Sequence, residues 1–187
     1  MGVVLASASP RRRELLALLI REFRCEAPDL DEAVETGEAP EDYVLRLALA
    51  KARAVVSQGD TVIAADTSVT LDGLILGKPT DYAGAKQMLM TLSGRTHAVV
   101  TGLAVGRENG LEGRVVKTRV QFAQLSESEI DRYLSTDEPW DKAGSYAIQG
   151  RAGAFIREIR GSYSSVVGLP LCETKELLAA CGVAASS

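Results

Sequence analysis

The stretch Thr61-Val62-Ile63-Ala64-Ala65-Asp66-Thr67-Ser68-Val69-Thr70-Leu71-Asp72-Gly73-Leu74-Ile75-Leu76 decides how the chain is read. Thr61 to Leu71 is a long run of β-branched and small apolar residues, which predicts a buried strand. Asp72-Gly73 then turns the chain into a second short strand, Leu74 to Leu76. Upstream, Val3 to Ala6 is another apolar run that reads as a buried strand. Ser9 as N-cap and Pro10 at the first helical position open a helix to about Ile20. An acidic loop, Glu26 to Glu38, leads to Pro40. A helix with Glu41 and Asp42 in its first turn begins there, runs to about Ser57 and ends near Gly59.

Downstream, Asp81 to Leu92 is a helix stopped by Gly94. Thr96 to Arg107 and Leu111 to Leu125 are strands around Asn109-Gly110. Val116, Thr118, Val120 and Phe122 alternate with Lys117, Arg119 and Gln121, so one face is buried and one is wet. Ser126 to Glu129 forms a capping box for a helix to about Ser135. A strand from Ala154 to Arg160 and a helix from about Pro170 to Cys181 follow, with Ala184 to Ser187 expected to fray. The pattern predicts an α/β fold with a mixed, partly antiparallel twisted sheet flanked by helices. The 187 residues fit one domain over 1–187, or two lobes sharing a core.

A hydrophobic fraction of 46% and a charged fraction of 25% exclude a disordered or collagen-like chain. The net charge of -4 argues against general nucleic-acid binding. The sequence contains neither an uncharged apolar run of membrane-spanning length nor a basic flank with an apolar core at the N-terminus. Cys25, Cys172 and Cys181 are too few and too scattered for a disulfide framework and are read as reduced, buried thiols of a cytoplasmic protein. His97 is the single histidine, which excludes His-rich zinc sites. A metal here would sit on carboxylates, which suits Mg²⁺ or Mn²⁺.

Five places carry candidate chemistry. Ser7-Ala8-Ser9-Pro10-Arg11-Arg12 joins a strand to a helix N-terminus, with two hydroxyls and two guanidiniums around free N–H groups. Arginines oppose the helix dipole there, which favours a bound anion over the alternative, a capped helix with a solvated Arg run. Asp66 is a carboxylate in an apolar strand, which is costly without a cation or hydrogen bonds. Lys51 shares the apolar helix face of Val44, Leu47, Ala48 and Val55, and either snorkels outward or enters a cleft, while Arg46 and Arg53 read as solvated. Asp31-Glu32 in the acidic loop reads by default as a solvated charge run, with oxygen ligands for a divalent metal as the alternative. Asp141 to Gly150 combines small residues with Gln149, whose amide both donates and accepts.

Together these segments resemble the Maf family of nucleoside triphosphate pyrophosphatases. Ser7 to Arg12 is similar to its SxSPRR signature. Asp31-Glu32, Lys51-Ala52, Ala65-Asp66-Thr67, Gly77-Lys78-Pro79, Leu92-Ser93-Gly94, Asp141-Lys142-Ala143-Gly144, Ile148-Gln149-Gly150 and Val167 to Leu171 follow in the family's order. The resemblance implies a Maf/inosine triphosphatase-like fold with a central nucleotide-binding cleft. It also implies cleavage between the α and β phosphates, giving a monophosphate and pyrophosphate with a divalent cation. It makes Asp66 the general base, places Glu32 and Asp66 at the metal, and puts Ser7, Arg12, Lys51 and Lys78 on the phosphates. Arg11, Thr67 and Gln149 match the branch acting on dTTP and UTP. The 7-methyl-GTP branch has an aromatic residue, Gln and Glu at those places, and a non-hydrolytic regulator of septum formation is the other alternative. The implied partner is a nucleoside triphosphate, with no nucleic acid and no membrane; a homodimer is compatible with this reading.

Overall fold

Strand β3, Thr61–Leu71, is the spine of the molecule in the computed structural model, which describes residues 2–185. Residues 186 and 187 of the expected frayed end lie outside the described residues. On one edge β3 pairs antiparallel with β5, Thr96–Arg107, from Val62 opposite Gly106 to Thr70 opposite Ala98. β5 turns into β6, Gly110–Phe122, and β6 pairs with β7, Ile156–Arg160.

The other edge of β3 has two partners. β1, Val3–Leu5, runs parallel to Thr61–Ile63 and carries the two-residue β2, Arg24–Cys25, on its far side. β4, Leu74–Leu76, folds back antiparallel on Val69–Leu71. Between them, residues 64–68 pair only with β5. The sheet is therefore mixed as expected, and it has a gap in one edge at the middle of its spine.

Alternation along β3 distributes its side chains to two faces. Val62 and Ala64 pack with Ala48, Ala52 and Val55 of α2, Pro40–Val55. α2 buries residues at helical spacing, including Val44, Leu47, Ala48 and Lys51. It sits close to the sheet because β5 has Gly102 beneath it: a Cβ there would lie 2.2 Å from the Val44 carbonyl oxygen. Ile63 and Ala65 face the opposite side, with Leu16 of α1, Pro10–Ala17, and Leu177 and Leu178 of α6, Leu171–Ala180. Farther along, Val69, Leu71, Val99 and Phe122 pack with α3, Tyr82–Leu92, and α4, Glu127–Leu134.

The caps form as read. Ser9 accepts from the Arg12 N–H, and Ser126 and Glu129 form a reciprocal box. Several short elements depart from expectation. Residues 151–155 are a 3₁₀ turn rather than the start of β7. A five-residue helix α5, Tyr163–Val167, and the strand β2 have no periodic signal of their own. The cysteines are unpaired, but Cys25 and Cys172 are exposed and Cys181 is intermediate rather than buried. Arg46 is not a free solvated side chain; its guanidinium forks onto Glu38.

Candidate active site

The gap at residues 64–68 opens into a cleft of ≈ 560 Å³. Because that edge has no neighbouring strand, side chains from both faces of β3 reach the same space. Asp66 follows Val62 and Ala64 onto the α2 side, and Thr67 follows Ile63 and Ala65 onto the α1 side.

Lys51 enters the cleft rather than snorkelling outward. Its Nζ lies 2.6 Å from Asp66 Oδ1 and 2.6 Å from Glu32 Oε1, and Lys51 and Asp66 are only 8% and 7% exposed. Burial raises the Glu32 pKa, but the hydrogen bond and charge of Lys51, with the charges of Lys78 and Arg12, outweigh it and hold the carboxyl below its ordinary value. The acidic loop that brings Glu32 here is strapped to α2. Tyr43 donates to the Glu32 carbonyl at 2.9 Å, and Arg46 donates to the Ala33 carbonyl at 3.0 Å and to Glu38 at 2.7 Å. Burial first, then the charges of Asp66 and Glu32, push the Tyr43 hydroxyl up to about 12, so it stays a donor at neutral pH.

On the other side, Arg12 donates through Nε to the Gly168 carbonyl at 2.9 Å, through Nη1 to Ser7 Oγ at 3.4 Å and through Nη2 to Thr67 Oγ1 at 3.3 Å. Burial lowers its pKa, partly offset by the charge of Asp66. The hydroxyl hydrogens can be assigned by elimination. Thr101 donates its one hydrogen to the Ser165 carbonyl at 2.8 Å, so in the 3.0 Å contact between Thr67 and Thr101 it is Thr67 that donates. Thr67 therefore faces Arg12 only as an acceptor.

Arg11 stands 3.6 Å from Asp141 across the opening, and Lys78 and Gln149 complete the wall. Ser7, Arg11, Arg12, Glu32, Lys51, Asp66, Thr67, Lys78 and Gln149 thus line one cleft, whereas Asp31 is not part of its lining and instead accepts from the Ala33 N–H at 2.9 Å. Gly168 lies in the segment Val167 to Leu171 already singled out, and its carbonyl is what holds Arg12. Tyr43 and Thr101 were not singled out: their contributions are contacts set by tertiary packing, which leave no local pattern.

A divalent cation of the Mg²⁺ type commonly binds one or two protein carboxylates and completes its shell with water and phosphate. Among the described residues no group of three or more His, Cys, Asp or Glu side chains could hold a metal. Glu32 and Asp66 nonetheless converge on one point, marked by the Lys51 ammonium, and suit an ion shared with a phosphate chain.

The fold and this cleft define an α/β protein built to receive a polyanion beside a buried carboxylate. The chain belongs to the Maf-like protein family, which it matches over residues 2–181. It is 55% identical over 184 residues to a dTTP/UTP pyrophosphatase of Anaeromyxobacter dehalogenans strain 2CP-1, covering 96% of this chain and 94% of the relative. It is 49% identical to a dTTP/UTP pyrophosphatase of Shewanella oneidensis, covering 98% and 100%. The Ham1 protein of Staphylococcus aureus superposes with a TM-score of 0.49 at 19% identity, covering 83% of this chain and 91% of that one. Among the described residues no helix is long and apolar enough to cross a membrane.

Proposed function

We propose that this chain hydrolyses dTTP and UTP to the nucleoside monophosphate and pyrophosphate, acting as a single domain of two lobes around the cleft. The observation that carries this reading is the buried carboxylate of Asp66 in a cleft lined by five cationic side chains, Arg11, Arg12, Lys51, Lys78 and Lys142. The relatives' names support the choice of substrate.

Phosphoryl chemistry asks a protein mainly for charge neutralisation and in-line placement of water. Arg12, Lys51 and Lys78 bind and neutralise the phosphates, and Ser7 adds a hydroxyl. Asp66 takes the proton of the attacking water as the bond between the α phosphorus and the pyrophosphate breaks. Glu32 and Asp66 would hold Mg²⁺ or Mn²⁺, which supplies charge neutralisation when bound. Gln149 meets the uracil or thymine edge, donating to a carbonyl and accepting from N3–H, with Thr67 and Arg11 beside the base. A carboxylate at 149 would instead suit a cationic 7-methylguanine. The three unpaired cysteines support a reducing, cytoplasmic setting.

The test is pyrophosphate release from dTTP, UTP, dCTP, GTP and 7-methyl-GTP with Mg²⁺ or Mn²⁺. Pyrophosphate and a monophosphate should appear fastest from dTTP and UTP. Release of orthophosphate instead, or preference for 7-methyl-GTP, would overturn the reading.

A further inference from the structure

Gln149 lies exposed on a segment without regular strand or helix pairing, yet base selection requires its amide to be held in a fixed orientation. The segment is pinned on both sides. Before it, the buried Tyr146 hydroxyl meets Nε2 of the buried His97 at 2.7 Å, on β5. After it, the carboxylate of Glu138 accepts from the Arg151 N–H at 2.8 Å and the Ala152 N–H at 3.2 Å. The same carboxylate accepts from the buried Tyr133 hydroxyl at 3.0 Å, which ties it to the capped helix α4. The Glu138 backbone carbonyl accepts from Lys142 Nζ at 2.7 Å, on the cleft wall.

Gly150 fits the same account. Its φ of −108° is open to any residue, so conformation does not call for glycine. Proximity does: a Cβ at 150 would lie 2.3–2.5 Å from the Glu138 carboxyl atoms. The chain passes directly over the carboxylate, one residue after Gln149. Among the described residues no basic side chain pairs with Glu138 within 4.0 Å, so its partners are two backbone N–H groups and a phenol. Such a carboxylate acts as an acceptor that fixes backbone direction.

We propose that Glu138 is a positioning residue for base selection, holding the turn after Gln149 so that its amide faces the nucleobase. This rests on the pyrophosphatase reading above. Glu138→Gln keeps the shape but turns an NH₂ group toward donors. Amide exchange at Arg151 and Ala152 in that variant should speed up by at least ~10-fold, as expected for lost hydrogen bonds to a charged group. KM for dTTP and UTP should rise by ~10-fold while kcat stays within ~3-fold, and the preference for dTTP over dCTP and 7-methyl-GTP should fall. Gly150→Ala should show the same split. Glu138→Ala with Gly150→Ala should lose less than the sum of the two, because the first change vacates the space that the second fills.

Unchanged exchange, unchanged KM and base preference, or an equal fall of kcat on every nucleotide would each overturn the positioning role. A wild-type protein that releases no pyrophosphate would instead overturn the function, and the exchange measurement would still decide whether the clamp exists.

Discussion

Asp66 and Thr67 are neighbours in sequence that serve opposite walls of the cleft, because successive strand residues point to opposite faces. Asp66 meets Lys51, and Thr67 meets Arg12. Asp66→Asn keeps the volume and removes the proton acceptor. kcat should fall by at least ~10²-fold with the fold intact, the usual scale for a positioned base; near-normal turnover would remove Asp66 from that role. Gln149→Glu should lower kcat/KM for dTTP and UTP by roughly 10 to 100-fold and spare 7-methyl-GTP, since a mismatched polar pair costs ~1–3 kcal/mol. Arg12→Ala should reduce kcat/KM on every triphosphate alike, because phosphates carry no base identity. Parallel kinetics on the three nucleotides separate these outcomes. Asp66 and Lys51 were legible in the sequence because each is a charge on an otherwise apolar stripe. Glu138 was not, because it sits among polar residues beside Pro139, and only tertiary folding brings Arg151 and Ala152 to it.

Helices with caps and strands with alternation were read to within a few residues, since their signals are local. β2, α5 and the 3₁₀ turns were missed because their partners lie far away in sequence: Arg24 and Cys25 become a strand only beside Val4 and Leu5. The contact between α2 and β5 is equally invisible to local reading, although it sets where Lys51 stands. Gly102 is opposite Asp66 in the sheet register and directly under Val44. Gly102→Ala puts a methyl group against backbone, which cannot give way as a flexible side chain can. Overpacking of this kind costs typically ~1–3 kcal/mol, and more where backbone must shift. The denaturation midpoint should fall accordingly, and activity should fall with it as α2 carries Lys51 away from Asp66. A variant with unchanged stability and turnover would show that this packing does not hold the helix.

At the scale of the whole molecule, one sheet serves three cores, and the one beneath α3 and α4 contains His97. Burial pushes its pKa down to about 4 from 6.5, so it stays neutral in the fold. The unfolded chain binds that proton first on acidification. The stabilising contribution is therefore complete above about pH 6.5 and is lost as the pH falls through 6.5 toward about 4, a total of about 3 kcal/mol. His97→Leu should flatten the loss of stability over that window, read as the denaturant midpoint at pH 7 and pH 4.5 in both proteins; equal slopes would show that His97 is not the source. The gap in the sheet edge has a mechanical consequence as well. Asp66 lies midway along the spine strand, between the end gripped by β1 and the end gripped by β4. β5 nevertheless braces that stretch along its whole length from the opposite edge, with Asp66 held against Gly102. The carboxylate thus rides on a strand that is stiffened from one side and open on the other, and the side chains that face it, Lys51 and Glu32, are carried by a helix and a loop outside the sheet.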